Sequence, residues 1–144
     1  MRSSKRMQPV AQNARKRADE AARHVAECQR QLEDRQAKLD ELLGYRDDYA
    51  HGLQEKGRGG LGAVQVNDYN LFMVRLNKAI EQQLIVLENT RRDLEASKQK
   101  WLDKQQRARA LDTVVARYER HEQHLQSRRE QQENDEYTRR RLRR

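Results

Sequence analysis

The chain has 144 residues, a net charge of +8, 38% charged residues and only 5% aromatic residues. A compact globule of this length carries more large apolar side chains, whereas a seam between two helices needs only about two apolar positions in seven. The single cysteine, Cys28, excludes an intramolecular disulfide framework and fits a reducing compartment. The N-terminus lacks an apolar signal segment, and no run approaches the roughly 20 apolar residues of a membrane helix, so we expect a cytoplasmic protein.

The first predicted element is a helix over about residues 9–55. Thirteen positions from Ala11 to Leu53 alternate steps of three and four, and eleven of them hold an apolar residue or a tyrosine. Such sustained heptad spacing predicts a helix of a coiled coil. The seam residues predicted on this helix are Ala21, Val25, Cys28, Leu32 and Leu39. On this pattern Cys28 is a small packing residue and not a nucleophile.

The next predicted element is a glycine-rich turn over about residues 57–66. Four glycines occur in the six residues from Gly57 to Gly62. This composition ends a helix and lets the chain reverse. Asn67 or Asp68 is then the expected N-cap of the returning helix.

The returning element is a second helix over about residues 68–140. Heptad spacing resumes at Leu76. The seam residues predicted here are Ile80, Leu87, Leu94, Trp101, Ala108, Leu111 and Val115. Four polar residues interrupt one row of this heptad: Gln83, Thr90, Ser97 and Lys104. Polar seam residues lower stability while they fix register and partner choice.

Together these elements predict an all-α protein, with two long helices in an antiparallel coiled-coil hairpin that forms a single domain over residues 1–144. Reversal about Leu61 places Ala14 opposite Ala108. It also places the small Ala21 opposite Trp101, the only tryptophan, which is the complementarity that a packed seam requires. The second helix is the longer one, so we expect it to overhang the start of the first or to fray there.

The net charge is concentrated at the two termini. Residues 1–30 hold eight basic and three acidic residues, residues 120–144 hold eight and five, and residues 31–119 are neutral. In a hairpin the termini meet, so this end is basic and suits nucleic acid, anionic lipid or an acidic protein surface. A solvated, frayed terminus explains the last arginines equally well.

Near the turn, apolar residues exceed what a two-stranded seam uses. One stripe on each helix follows the spacing of a single helix face. The two stripes are Leu42, Tyr45 and Tyr49 on the first helix, and Phe72, Leu76 and Ala79 on the second. Exposed apolar surface with aromatic residues is typical of a protein-binding face. The alternative is that the helices splay here and the rings fill the gap.

No catalytic, cofactor or metal chemistry is predicted. The glycine-rich turn lacks the Gly-Lys-Ser/Thr ending of a phosphate loop, and His121 and His124 have no third ligand at metal-site spacing. The neighbouring carboxylates Asp47 and Asp48 point apart on a helix, which is the wrong geometry for acid–base catalysis. A two-helix rod also has no concavity that excludes water. We therefore expect that the protein is not an enzyme.

The most specific segment of the sequence is the block Tyr69-x-x-Phe72-x-x-x-Leu76-x-x-Ala79-Ile80-Glu81-Gln82-Gln83, preceded by the segment from Leu42 to Tyr49. Further matching segments are Trp101, Arg107 to Tyr118, Arg128-Arg129-Glu130-Gln131 and Asp135-Glu136. With these segments the chain resembles the FliJ family of flagellar type III export proteins over nearly its full length.

The resemblance implies a cytoplasmic component of the flagellar export apparatus, peripherally associated with the inner membrane at the flagellar base through its partners. Members of that family are antiparallel coiled coils similar to the central stalk, the γ subunit, of rotary ATPases. They associate with the hexameric export ATPase FliI, promote its ring assembly, bind the export-gate membrane protein FlhA and help to recycle export chaperones. No nucleic-acid partner is implied.

The resemblance also implies two binding sites. The export-gate site corresponds to Leu42, Tyr45, Tyr49, Phe72, Leu76 and Ala79. The ATPase-ring site corresponds to Arg15, Arg17, Arg128, Arg129, Asp135 and Glu136. We expect the basic end to bias the conformations of a ring pore by differential binding while the apolar stripe docks the gate.

Two other classes of function compete with this interpretation. One is a basic coiled-coil adaptor that binds nucleic acid or an anionic membrane. Against it, the basic residues are interleaved with acids and lack a clustered aromatic platform for bases. The other is an adaptor of a different secretion system.

Overall fold

The computed structural model describes residues 3–60 and 62–143, and these form two helices. α1 spans Ser3–Arg58 and α2 spans Ala63–Leu142. The helices pack against each other through the residues of the two heptads. The predicted fold class, an all-α antiparallel coiled-coil hairpin, is confirmed. Leu61, the predicted reversal point, lies outside the described residues.

Both helices extend beyond their predicted bounds. α1 begins six residues before residue 9 and ends three residues after residue 55, and α2 begins five residues before residue 68. Proline is favoured in the first turn of a helix. In the structure Pro9 lies inside α1. Its ring nitrogen has no hydrogen to donate to the carbonyl of Lys5, so the first turn needs support from elsewhere.

The turn between the helices is shorter than predicted. The Gly59 N–H donates to the Lys56 carbonyl at 3.1 Å, and Gly60 follows with a φ of +85°. Glycine adopts this left-handed conformation without a steric penalty, which ends α1.

The expected N-cap of α2 at Asn67 or Asp68 is wrong. α2 begins at Ala63, and the Gly62 N–H donates to Oε1 of Gln65 at 3.4 Å. A glutamine three residues after the cap position that reaches back to its N–H is one half of a capping box. No residue between Ala63 and Asp68 breaks a helix, so the helix starts at the first available cap.

Packing divides the chain into two units, which we describe in turn. The terminal unit comprises Met1–Ala22 with Lys100–Arg144, and the turn unit comprises Arg23–Gln99. The expectation of a single domain stays a prediction.

In the terminal unit the buried cluster of the seam is made of small residues. Ala14, Ala18 and Ala108 form a buried cluster against which Leu111 packs, and Ala11 is buried one turn earlier. Ala14 and Ala108 thus lie in one cluster, as the reversal about residue 61 predicts. Because interaxial distance depends on the side chains at the contact, alanines on both helices allow a close approach.

Polar contacts between the helices reinforce this small-residue seam. The backbone N–H and the hydroxyl of Ser4 donate to the two carboxylate oxygens of Glu122, at 3.1 and 2.6 Å. We call this contact the N-terminal clasp. The first N–H groups of a helix have no partner within it and carry partial positive charge, so a carboxylate stabilises them. Two further contacts follow: Gln8 Nε2 to Glu119 Oε1 at 3.2 Å, and Arg15 Nε to Asp112 Oδ1 at 3.4 Å.

α2 continues well past the clasp. It reaches Leu142, twenty residues beyond Glu122, and every described residue from 123 to 143 is exposed. We call this segment the α2 tail. At 1.5 Å per residue it is about 30 Å long, which agrees with the expected overhang.

In the turn unit the seam is made of large aliphatic residues. Leu39, Leu76, Ile80 and Leu87 form the buried cluster. The partly buried residues that pack against it are Leu32, Leu42, Leu43 and Met73. This cluster is the larger apolar core of the two units.

The polar seam residues of the turn unit have hydrogen-bond partners. The Thr90 hydroxyl donates to the Val86 carbonyl and the Ser97 hydroxyl to the Leu94 carbonyl, both at 2.7 Å within α2. Bonding to the preceding turn lowers the cost of burying a hydroxyl. Gln83 acts across the seam: its Nε2 donates to the Arg35 carbonyl of α1 at 3.2 Å.

All twelve predicted seam residues are buried or half-buried. The buried ones are Cys28, Leu39, Ile80, Leu87, Leu94 and Ala108, and the half-buried ones are Ala21, Val25, Leu32, Trp101, Leu111 and Val115. Across the described residues, neither helix has a stretch that is apolar and long enough to cross a membrane.

Candidate protein-binding site

Three aromatic rings lie close together in the turn unit, near the glycine-rich turn. The Tyr49 ring of α1 stacks on the Phe72 ring of α2, with centroids 4.1 Å apart and planes 20° apart. Tyr49 also lies 5.6 Å from Tyr69 in a tilted arrangement. We call these three residues the aromatic cluster. Ring pairs of this kind add about 0.5–1.5 kcal/mol beyond the burial of their area, so the cluster holds the two helices together while the outer faces of Tyr49 and Phe72 stay exposed.

An open groove lies beside the aromatic cluster. The three rings line it together with Leu53 and two carboxylates, Asp48 from α1 and Asp68 from α2. The Lys56 side chain also lines it. An aromatic and apolar floor with carboxylates suits a partner that presents an apolar or cationic side chain.

Tyr45 stands beside the cluster as a further exposed ring. Its hydroxyl donates to Oε1 of Glu41 at 2.8 Å, one turn earlier on α1. This hydrogen bond to a carboxylate, together with the charge of Glu41, raises the pKa of Tyr45 above its ordinary value. This hydrogen bond within α1 also restrains the orientation of the Tyr45 ring at the surface.

The structure divides the predicted export-gate residues into two groups. Tyr45, Tyr49 and Phe72 are exposed, whereas Leu76 is only 7% exposed and belongs to the aliphatic core. Leu42 packs against the same core and Ala79 is half-buried. The stripe is thus a surface of three rings supported by aliphatic residues beneath it.

Tyr69 belongs with this surface although the sequence-based site omitted it. It precedes Phe72 by three residues, so the two share a helix face. That spacing, within the block that carries the family resemblance, was a signal sufficient to include it.

The predicted ATPase-ring residues do not form one cluster in the terminal unit. Arg15 pairs with Asp112 across the seam. Arg128 lies sixteen residues farther along α2 than Asp112, which corresponds to about 24 Å. The other predicted ring residues are all exposed: Arg17, Arg128, Arg129, Asp135 and Glu136. Four of these six residues therefore lie on the α2 tail, and the two from α1 lie beside the seam.

The groups with possible metal or thiol chemistry are few. The buried thiol of Cys28 lies 3.7 Å from Nε2 of His24, one turn away on the same helix. In residues 3–60 and 62–143, no three His, Cys, Asp or Glu side chains are grouped so that they could hold a metal ion.

A hairpin of two long helices with exposed aromatic rings beside its turn defines a coiled-coil protein with a candidate protein-binding surface. Residues 3–144 match the family described as Flagellar FliJ protein. The chain belongs to this family, and the predicted resemblance is confirmed. It is 28% identical over 127 residues to the Flagellar FliJ protein of Salmonella typhi and 26% identical over 127 residues to that of Escherichia coli (strain K12). Each alignment covers 88% of this chain and 86% of the relative.

Proposed function

We propose that the protein is a non-catalytic component of the flagellar protein export apparatus that binds two partners through two separate surfaces. The turn unit binds the export-gate protein FlhA, and the terminal unit binds the hexameric export ATPase FliI. By holding both, the protein helps to couple ATPase activity and the cycling of export chaperones to export. It acts in the cytoplasm, at the inner membrane of the flagellar base, where its partners retain it.

The observation that carries the gate-binding part is the exposed row of rings at Tyr45, Tyr49 and Phe72. Aromatic side chains dominate the energetics of protein interfaces because they bury a large area with little loss of conformational freedom. Stacking against Tyr69 and Phe72 already orders Tyr49 in the free protein, and its hydrogen bond to Glu41 orders Tyr45. A surface ordered before binding loses less entropy when a partner covers it.

The ring-binding part depends on the α2 tail. Every described residue of the tail is exposed, so side chains on all faces of this helix are accessible to a partner. Its basic pair, Arg128 and Arg129, is followed by the acidic pair Asp135 and Glu136. A fully exposed helix with both charge signs fits a polar pore formed by several subunits, and contacts that differ between subunit states bias those states.

The first experiment replaces Phe72 or Tyr45 by alanine and measures FlhA affinity. Each variant should bind about tenfold or more weakly, the size expected for an aromatic interface residue. Tyr137→Ala is the matched control, because it removes an exposed ring from the α2 tail. Leu76 is unsuitable for this test, because truncating a core residue destabilises the hairpin itself.

The reciprocal experiment replaces Arg128 and Arg129 together by alanine. FliI binding and any change that the protein causes in the FliI ATPase rate should fall, while FlhA affinity stays at the wild-type value. Unchanged FlhA affinity in folded Phe72→Ala contradicts the gate assignment. A FliI ATPase rate that is the same with and without this protein contradicts the coupling. Salt-sensitive binding to plain DNA or anionic vesicles would favour the adaptor instead.

A further inference from the structure

One face of α2 in the turn unit carries apolar side chains that the hairpin leaves uncovered. Leu71, Val74 and Ile85 are 47%, 66% and 62% exposed. At 3.6 residues per turn they share a face with Lys78 and Glu81, both of which are also exposed. We call these five residues the back stripe. Their spacing alternates between three and four residues, which is that of a heptad on a different face of α2 from the seam.

The back stripe is distinct from the surface assigned to the export gate. Phe72 follows Leu71 by one residue, so its side chain leaves the helix about 100° away. Phe72 stacks on Tyr49 of α1, while the back stripe has no apolar cover. Apolar residues at coiled-coil spacing on a solvated helix face are typical of a helix-binding surface.

The order of residues within the stripe is complementary to itself except at Leu71, whose mirror position is held by Glu88. Lys78 and Glu81 lie at its centre, and Val74 and Ile85 lie four residues outside them on either side. A two-fold axis that passes between residues 79 and 80 pairs each residue with the one that mirrors it about this point. Lys78 of one copy then faces Glu81 of the other, and Val74 faces Ile85. The symmetry forms each of these contacts twice.

We propose that the back stripe is a homodimerisation surface on which two copies pack antiparallel about this axis. The occupant is a second copy, because the stripe itself supplies the opposite charge for Lys78 and the apolar partner for Val74 at the mirrored positions. The two apolar side chains per copy that pair across the axis, Val74 and Ile85, cover only a small part of the roughly 800 Å² per partner of a standard interface. The dimer is therefore weak and forms at high local concentration.

The test is sedimentation of the full chain over a range of concentrations. Lys78→Glu sets like charges opposite each other twice and should weaken self-association about tenfold. The double variant K78E/E81K restores opposite charges and should return the affinity to within about threefold of wild type. Lys98→Glu is the matched control, because it makes the same charge change at an exposed position of α2 outside the stripe.

Three results would overturn the proposal. The first is a wild-type chain that stays monomeric at about 1 mM, a concentration at which even very weak specific complexes form. The second is that Lys78→Glu and Lys98→Glu weaken self-association equally, because the effect would then come from net charge alone. The third is a double variant that remains as weak as the single one.

Crosslinking tests the orientation independently. A Val74→Cys chain mixed with an Ile85→Cys chain should react with a short bis-thiol reagent to give the mixed dimer. Two Val74→Cys chains should react little, because residues 74 of the two copies lie about 16 Å apart along the axis. Efficient crosslinking of Val74→Cys with itself would overturn the antiparallel arrangement. The wild-type chain, whose Cys28 is buried, is the control, and Phe72→Ala should dimerise normally whatever its effect on the gate.

Discussion

The two units hold the same pair of helices together with different kinds of side chain. Alanines form the buried cluster of the terminal unit, and leucines with isoleucine form that of the turn unit. Burying a leucine side chain contributes about 1.5–3 kcal/mol, and an alanine methyl contributes much less. The terminal unit adds the N-terminal clasp and two further polar contacts across its seam. Its closure therefore depends more on geometry and charge, and we expect it to open locally before the turn unit does.

The largest effect should come from a truncation in the turn unit. Leu87→Ala removes the most deeply buried side chain of the aliphatic cluster. We expect the free energy of unfolding to fall by about 2–4 kcal/mol, from lost apolar burial and from the cavity that remains. Urea denaturation followed by circular dichroism measures this change. Leu84→Ala, at an exposed leucine on the same helix, is the control; an equal loss there would show that the cluster is not the main source of stability.

A smaller effect should come from enlarging a residue in the terminal unit. Ala108→Leu inserts three carbons between closely packed alanines and should cost about 1–3 kcal/mol. Ala110→Leu makes the same change two residues away, where the side chain is exposed, and should be nearly neutral. If the two variants have the same stability in urea denaturation, the terminal helices are not closely packed.

The smallest effect should come from the N-terminal clasp. Ser4→Ala removes the hydroxyl that donates to Glu122 and should cost about 1 kcal/mol, as the loss of a helix cap does. Amide hydrogen exchange should quicken in the first turns of α1 and remain unchanged in the turn unit. Ser3→Ala, at the exposed neighbouring serine, should leave exchange as it is. If amide exchange is equal in the Ser4→Ala and Ser3→Ala variants, the clasp does not stabilise α1.

The fold could be predicted from the sequence because a coiled coil is specified by periodicity alone. All twelve named seam residues are at least half-buried, whereas the heptad position Tyr49 is exposed. The helix ends were less predictable, since they depend on single hydrogen bonds. The cap that Gln65 forms on Gly62 competes with the stronger local signals of Asn67 and Asp68. The support for the first turn of α1 comes from Glu122, which is remote in the sequence.

The location of the candidate site was predictable from the sequence, but the burial of its individual residues was not. Spacing places Leu76 and Phe72 on related faces of α2, yet the structure buries Leu76 and exposes Phe72. A rotation of a few tens of degrees about the helix axis separates core from surface, and the period of the pattern does not resolve it. The charged residues of the terminal unit were harder still, because the pairing of Arg15 with Asp112 requires the register to one residue.

The α2 tail has a consequence for how thermal unfolding is observed. The described residues beyond the clasp are all exposed, so their helicity depends mainly on propagation from the packed part of α2 and little on tertiary packing. Heating should melt the tail progressively, as a sloping baseline in far-ultraviolet circular dichroism before the cooperative transition. Trp101 is half-buried in the terminal seam, and its fluorescence should report only that transition. The two probes should therefore not coincide.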